Sequence, residues 1–192
     1  MNRLSNCIAL IVLSVFASCK AVRDSNTAVT YVNYTHSELN SKKADGFGSI
    51  PGVEVGVMYG GEGKPDRAVG IVGDIALRLS SSDNEWRRVD VSVDSVGART
   101  GLRYYYDTGT PYIQPFIGGG ILLQQYWLKD DTSSAQAGTL GFIGTAGLES
   151  QVSESMRINL GYSRTAGIRP KVDGEQLNMD SHAFIFGLGW SF

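Results

Sequence analysis

Hydrophobic and polar residues alternate with a period of two along most of the chain from residue 27 onward, which is typical of β-strands with two different faces. The last strand is the clearest, because one parity carries only bulky apolar residues: Phe184, Phe186, Leu188, Trp190 and Phe192. The other parity is mostly small, with Gly187 and Gly189. In a membrane barrel the bulky face contacts lipid and the small face packs in a narrow interior.

Seven further segments alternate in the same way, which makes eight strands in total. Strand one, about Thr27 to Glu38, has an ambiguous phase because Tyr31 and Tyr34 fall on opposite parities. Strand four covers Trp86 to Tyr106, which is longer than one membrane crossing of ~9–11 residues. Its apolar phase shifts between Val93 and Val96, so we expect a bulge or an extension above the membrane.

The pattern therefore predicts an all-β domain over residues 27–192, a closed antiparallel eight-stranded up-and-down transmembrane β-barrel. The 24 glycines agree with strands better than with helices. Four polar segments are expected outside the cell: Leu39–Gly46, Ser80–Glu85, Lys129–Gln136 and Ile168–Asp180. The 17 basic and 19 acidic residues are nearly balanced, and they form no cluster that would suit nucleic acid.

Residues 1–19 have the three parts of an export signal. Arg3 is the positive residue, Ile8 to Phe16 form the apolar region, and small residues follow. The end of this segment also resembles a bacterial lipobox, in which Cys19 would be lipidated and become the first mature residue. The alternative is ordinary cleavage near Ala21. Since both cysteines lie in this region, no disulfide or cysteine metal site is expected in the body.

Three passages carry a family resemblance: Gly101 to Tyr106 (GLRYYY), then Pro115 to Gly120 (PFIGGG), and the closing Gly187 to Phe192 (GLGWSF). In this order they resemble the small eight-stranded outer-membrane barrels of the OmpA, OmpX and OmpW type. The resemblance implies a bacterial outer-membrane location. It also implies that the terminal strand, with its alternating aromatic residues and final Phe192, is read by the barrel-insertion machinery. It does not imply one activity, because such barrels serve many functions.

Ionisable residues fall on the predicted inward parity, where they can avoid the hydrocarbon. An arginine near the membrane midplane on a barrel's lipid face costs ~2–4 kcal/mol. We expect them to form a salt-bridge plug, and the alternative is a narrow gated channel. The residues are Glu54, Asp74, Arg78, Arg99, Arg103, Glu149 and Arg157.

The sequence favours a non-enzymatic barrel with a structural or surface-interaction role, a monomer whose partners are the outer-membrane lipids. One alternative is a lipid-modifying enzyme, because His36 and His182 lie near the outer ends of neighbouring strands and Tyr162 to Gly167 resembles the serine region of lipid A deacylase barrels. There Ser163 would be the nucleophile, but Gly161 stands where that family has its histidine. A soluble lipoprotein that binds a small apolar ligand is a third hypothesis. No cofactor and no metal site are predicted.

Overall fold

The computed structural model describes residues 28–39, 49–60, 69–86, 89–129, 134–172 and 175–191. The predicted signal segment, Cys19 and Phe192 lie outside these residues. No helix within the described ranges is long and apolar enough to span a membrane. The strands are β1 (Ala28–Leu39), β2 (Ser49–Gly60), β3 (Gly70–Trp86), β4 (Val89–Tyr105), β5 (Gln114–Lys129), β6 (Ser134–Gln151), β7 (Met156–Ala166), β8 (Lys171–Val172), β9 (Glu175–Gln176) and β10 (Ser181–Ser191).

Eight of these strands close into one barrel in the order β1-β10-β7-β6-β5-β4-β3-β2, and every neighbouring pair is antiparallel. The prediction of a closed eight-stranded barrel is confirmed. The short strands β8 and β9 pair only with each other, between β7 and β10. We call the end of the barrel near this hairpin the loop end, and the end near Ala28 and Ser191 the turn end.

Bulky apolar side chains cover the outside of the barrel in a continuous belt. They occupy alternate positions over about nine residues of each long strand, such as Ile71 to Leu79 on β3 and Leu140 to Leu148 on β6. Beyond the belt, toward the loop end, the outward residues become polar, as at Ser81 and Asp83. A belt of this height matches the ~9–11 residues that a tilted strand needs to cross a bilayer, so this surface faces lipid.

The inward and outward parities are unambiguous in the structure. The phase of strand one is resolved, because Tyr31 is 1% exposed and points inward while Tyr34 is 50% exposed and points to lipid. Val69 shares the parity of the lipid-facing residues of β3, which would place it on the lipid face, but it lies just before the strand and is buried.

Strand four extends beyond the membrane without a bulge, so of the two predicted alternatives the extension is the one observed. The pairing of β3 with β4 runs without interruption from Gly70↔Tyr105 to Trp86↔Val89. Val91 and Val93 point inward on the same parity as Arg99 and Arg103. The apparent phase shift arises because the strand leaves the membrane: outside the belt the outward side is polar and the interior becomes apolar. For the same reason the predicted loop Ser80–Glu85 is strand, paired with residues 90–95.

Candidate functional site

The interior of the barrel holds a buried layer of charged side chains in its middle and toward the turn end. All seven ionisable residues that parity placed inward lie there, each no more than 7% exposed: Glu54, Asp74, Arg78, Arg99, Arg103, Glu149 and Arg157. The strands position them by simple alternation, because every second residue must enter the lumen.

Asp74 of β3 is the centre of this layer. One of its oxygens, Oδ2, is 2.6 Å from Arg103 Nε and 3.0 Å from Arg99 Nη2. The other, Oδ1, accepts a hydrogen bond of 2.5 Å from the Tyr31 hydroxyl. The Arg103 guanidinium also lies 5.0 Å from the centre of the Tyr31 ring and 5.1 Å from that of Phe116. The carboxylate is therefore held by two cations and a hydroxyl, and only 2% of the Asp74 side chain is exposed.

Glu54 extends the layer around the barrel. Its Oε1 accepts hydrogen bonds from Arg99 Nη2 at 2.9 Å and from Asn33 Nδ2 at 3.0 Å. The Asn33 carbonyl oxygen accepts in turn from Asn159 Nδ2 at 2.9 Å. This chain of contacts links β4, β2, β1 and β7 across the lumen, so the polar side chains brace opposite walls of the barrel.

A second ion pair fills the turn end. Arg157 Nη1 lies 2.9 Å from Glu149 Oε1, and the Tyr105 hydroxyl donates to Glu149 Oε2 at 2.9 Å. A void beside this pair, lined in part by Met58, has a volume of about 10 Å³. Such a volume holds roughly one water molecule. The turn end is therefore packed.

Arg78 lies nearest the loop end of this layer. Its Nη2 donates to the Ser37 hydroxyl, and its Nε has no hydrogen-bond partner among the described residues. The seven inward residues comprise three acids and four bases, so the layer carries one excess positive charge. Parity alone identified the charged members, but it did not identify Tyr31, Asn33 and Tyr105 as their partners.

Above the charged layer the interior contains a large apolar cluster, which alternation alone does not predict. The buried cluster contains residues from four strands together with three residues that lie between β7 and β10: Ile50, Val91, Val93, Leu122, Tyr126, Leu128, Ala137, Ile143, Ile168, Leu177 and Met179. The segment 167–180, which we call the strap, therefore turns Ile168, Leu177 and Met179 down into the barrel mouth. The prediction that Ile168–Asp180 is a polar segment is therefore corrected at these three residues.

The strap is held together by its own backbone hydrogen bonds and by an ion pair. It forms a small hairpin in which the Met179 N–H donates to the Ile168 carbonyl at 3.0 Å. The Arg169 guanidinium binds both oxygens of Asp180, at 2.6 and 2.9 Å. Burial raises the pKa of the Asp180 carboxyl, but hydrogen bonds from Arg169 and from the Ile168 N–H, with the Arg169 charge, outweigh it and hold the pKa below its ordinary value.

Gly141 of β6 is the position where the strap approaches the wall most closely. A Cβ placed there would collide with the end of the Ile168 side chain and would lie 2.7 Å from the Ala166 carbonyl oxygen. We expect Gly141→Ala to push Ile168 out of its position, because overpacking costs about 1–3 kcal/mol. This strain lowers the free energy needed to open the strap by the same amount. Hydrogen exchange of the Leu177 and Met179 amides should then accelerate by roughly tenfold.

Gly138→Ala is the matched control for this prediction. Gly138 lies on the same strand but faces outward, where a Cβ would meet only the flexible end of Gln125, at 3.0 Å. Equal exchange rates in the two variants would mean that Ile168 does not hold the strap down.

The structure does not bring the candidate catalytic residues together. Ser163 points into the barrel, whereas His36 and His182 lie on the outward parity. Glu38, not a serine, is the partner of His182, with Oε2 at 3.0 Å from Nε2. A histidine cannot deprotonate a serine that lies on the other side of the wall. No group of three or more metal-ligating side chains was found among the described residues.

The terminal strand presents its bulky residues to lipid. Phe184, Phe186 and Trp190 are exposed on the belt and Leu188 is half-buried there. β10 closes the barrel by pairing with β1 from Val29↔Ser191 to Leu39↔Ser181. Its reading by the insertion machinery stays a prediction.

Comparisons with known proteins agree with this geometry. Residues 7–192 match the family described as Outer membrane protein beta-barrel domain. Neisserial surface protein A has a similar structure, with a TM-score of 0.59 and 18% identity, covering 88% of this chain and 98% of that one. OprG from Pseudomonas aeruginosa has a TM-score of 0.67 at 13% identity, covering 88% and 96%. Ail, the attachment invasion locus protein of Yersinia pestis, has a TM-score of 0.58 at 14% identity, covering 86% and 98%. No curated protein sequence matches the chain.

Proposed function

Because the chain belongs to the outer membrane protein β-barrel domain family, we propose that it is a non-enzymatic, plugged barrel with a structural or surface-interaction role. It is a protein of the bacterial outer membrane. We also propose that it works as a monomer and that the terminal strand is the segment recognised by the insertion machinery.

The observation that carries the proposal is the filling of the lumen at two levels. The charged layer braces the middle of the barrel, and the apolar cluster with the strap fills the loop end. An eight-stranded barrel encloses only enough space for its own side chains. A solute would have to displace both layers, so the interior supports rigidity better than transport.

The loop end offers the surface that could meet partners. β3 and β4 have 17 residues each and β6 has 18, well beyond the ~9–11 residues that cross the membrane. Their extensions carry outward polar residues such as Ser81, Asp94 and Gln136. A paired, rigid wall of this kind presents side chains at low entropic cost, which favours surface interaction.

Conductance in planar lipid bilayers tests the plugged interior. We expect the full chain to give no steady single-channel current, and a variant with residues 168–179 replaced by a short Gly-Ser link to give none either, because the charged layer still fills the lumen. A steady current through the unmodified chain would support the gated channel instead. A current only after removal of the strap would show that the charged layer does not seal the barrel.

A further inference from the structure

The lipid-facing wall contains an apolar groove of about 290 Å³. Ile71, Leu102, Tyr104 and Ile117 form its sides, and Gly118 and Gly119 form its floor. Its volume is near the lower end of the ~300–1,000 Å³ found for small-molecule sites. Because the first four side chains are exposed on the belt, the groove opens to the hydrocarbon of the membrane.

The floor of this groove continues across the next strand toward the loop end. Gly119 of β5 pairs with Gly144 of β6, and Gly144 pairs with Arg164 of β7. All three are exposed on the outward parity. We call the depression formed by the groove, Gly119 and Gly144 the furrow.

The furrow rises through the belt to its edge. On β6, Gly144 lies mid-belt, with Leu140 and Phe142 on one side along the strand and Ala146 and Leu148 on the other. On β7, Arg164 is the first polar outward residue past Leu160 and Tyr162. Arg164 therefore stands at the loop-end boundary of the membrane, the level at which lipid headgroups lie.

The fold does not require glycine at Gly119 and Gly144, the two furrow positions on the outward parity. At Gly52 and Gly118, by contrast, a Cβ would come within 3.0 Å of backbone or side-chain atoms. A Cβ at Gly144 would meet nothing within 4 Å, and one at Gly119 only the Ile143 carbonyl oxygen, at 3.6 Å. Neither has the positive φ that favours glycine. The missing side chains thus leave space that the barrel itself does not need.

The positive charge at the upper end of the furrow has no counterpart among the residues that the structure describes. Arg164 makes no ion pair or hydrogen bond with any residue in the described part of the chain. Its neighbour across the strand pair, His182, already has Glu38 as its partner and stacks on Tyr162, with ring centres 6.1 Å apart. A guanidinium is well suited to bind a phosphate group through two parallel hydrogen bonds.

We propose that the furrow is a binding site for one phosphate-bearing acylated lipid of the loop-end leaflet. One acyl chain lies along Gly144 and Gly119 into the groove at Leu102, and the phosphate binds the Arg164 guanidinium. The apolar groove and the unpaired cation lie on one continuous path, which matches a ligand with a hydrocarbon tail and an anionic head. This site lies on the outer wall and is independent of the plugged interior.

Native mass spectrometry of the full chain in detergent micelles tests the site. The probes are phosphatidylglycerol, diacylglycerol and inorganic phosphate, which separate the tail from the phosphate. We expect one phosphatidylglycerol per chain to persist. Gly144→Leu, which fills open space, should reduce the bound fraction roughly tenfold. Arg164→Gln should reduce phosphatidylglycerol to the level of diacylglycerol and leave diacylglycerol unchanged.

Two variants are matched controls because they make the same kind of change elsewhere on the outward face. Ala98→Leu adds apolar bulk to the belt on β4, and Lys129→Gln removes an exposed positive charge near the loop end of β5. Neither should alter lipid retention. Equal retention in Gly144→Leu and Ala98→Leu, or equal binding of phosphatidylglycerol and diacylglycerol by the unmodified chain, would overturn the proposal. Displacement of the lipid by an equal concentration of inorganic phosphate would do so too, since free phosphate would then be the ligand.

Discussion

Asp74→Asn is expected to lower the free energy of unfolding by about 3–5 kcal/mol, the range for removing one partner of a buried ion pair. The substitution keeps the size of the side chain and removes its charge. Arg103 then has no carboxylate at Nε, and the amide group cannot accept both the Tyr31 hydroxyl and the two arginines. Urea titration of the barrel in lipid vesicles, followed by tryptophan fluorescence, measures the change.

Asp180→Asn provides the comparison, because it makes the same chemical change in a partly exposed ion pair. The Arg169 and Asp180 side chains are 37% and 21% exposed, and such pairs contribute ~1 kcal/mol or less. A second variant, Asp74→Asn with Arg103→Gln, should recover part of the lost stability, because the uncompensated charge is removed as well. If Asp74→Asn and Asp180→Asn cost the same, the charged layer does not hold the barrel together.

The charged layer around Asp74 shows which features of the interior can be predicted from the sequence and which cannot. Parity placed Asp74, Arg99 and Arg103 in the lumen because side chains alternate strictly along a strand. It could not pair them, because the partners of Asp74 lie on β1 and β4 and depend on the register of several strand pairs. The hydroxyl of Tyr31 was missed because the inward parity of strand one cannot be assigned from the sequence. Two tyrosines, Tyr31 and Tyr34, fall on opposite parities there.

The apolar loop end was missed for a different reason. Alternation separates the two faces of a strand, but it does not say which medium each face meets. Within the belt the outside is apolar, whereas beyond it the outside is wet and the interior holds Val91, Val93 and Leu128. From the sequence, the reversal at Val93 to Val96 was therefore compatible with either a bulge or an extension above the membrane. Ile168, Leu177 and Met179, apolar residues in a segment taken as a polar loop, were the available signal for the strap.

The assignment of the outward face of the belt to lipid can be tested directly on β3. The belt and its polar extension both lie on this strand. Ile75 is 46% exposed and lies midway between Ile71 and Leu79 on the lipid face. Ile75→Arg is expected to destabilise the folded barrel by ~2–4 kcal/mol, because the guanidinium must enter the hydrocarbon or draw water and headgroups toward it. The same urea titration in vesicles measures the loss.

Ser81→Arg is the control, six residues further along the same face of β3. Ser81 lies beyond the belt and faces Asp94 across the strand pair, where its hydroxyl donates to the Asp94 carboxylate at 2.6 Å. An arginine there meets water and an opposite charge, so the free energy of unfolding should stay within about 0.5 kcal/mol of the unmodified chain. Both variants carry the same new side chain on the same face. The difference between their free energies of unfolding therefore measures the effect of the medium around the arginine. If both variants lose the same stability, the outward row of β3 does not pass from hydrocarbon to water between Leu79 and Ser81, and the boundary of the membrane must lie elsewhere.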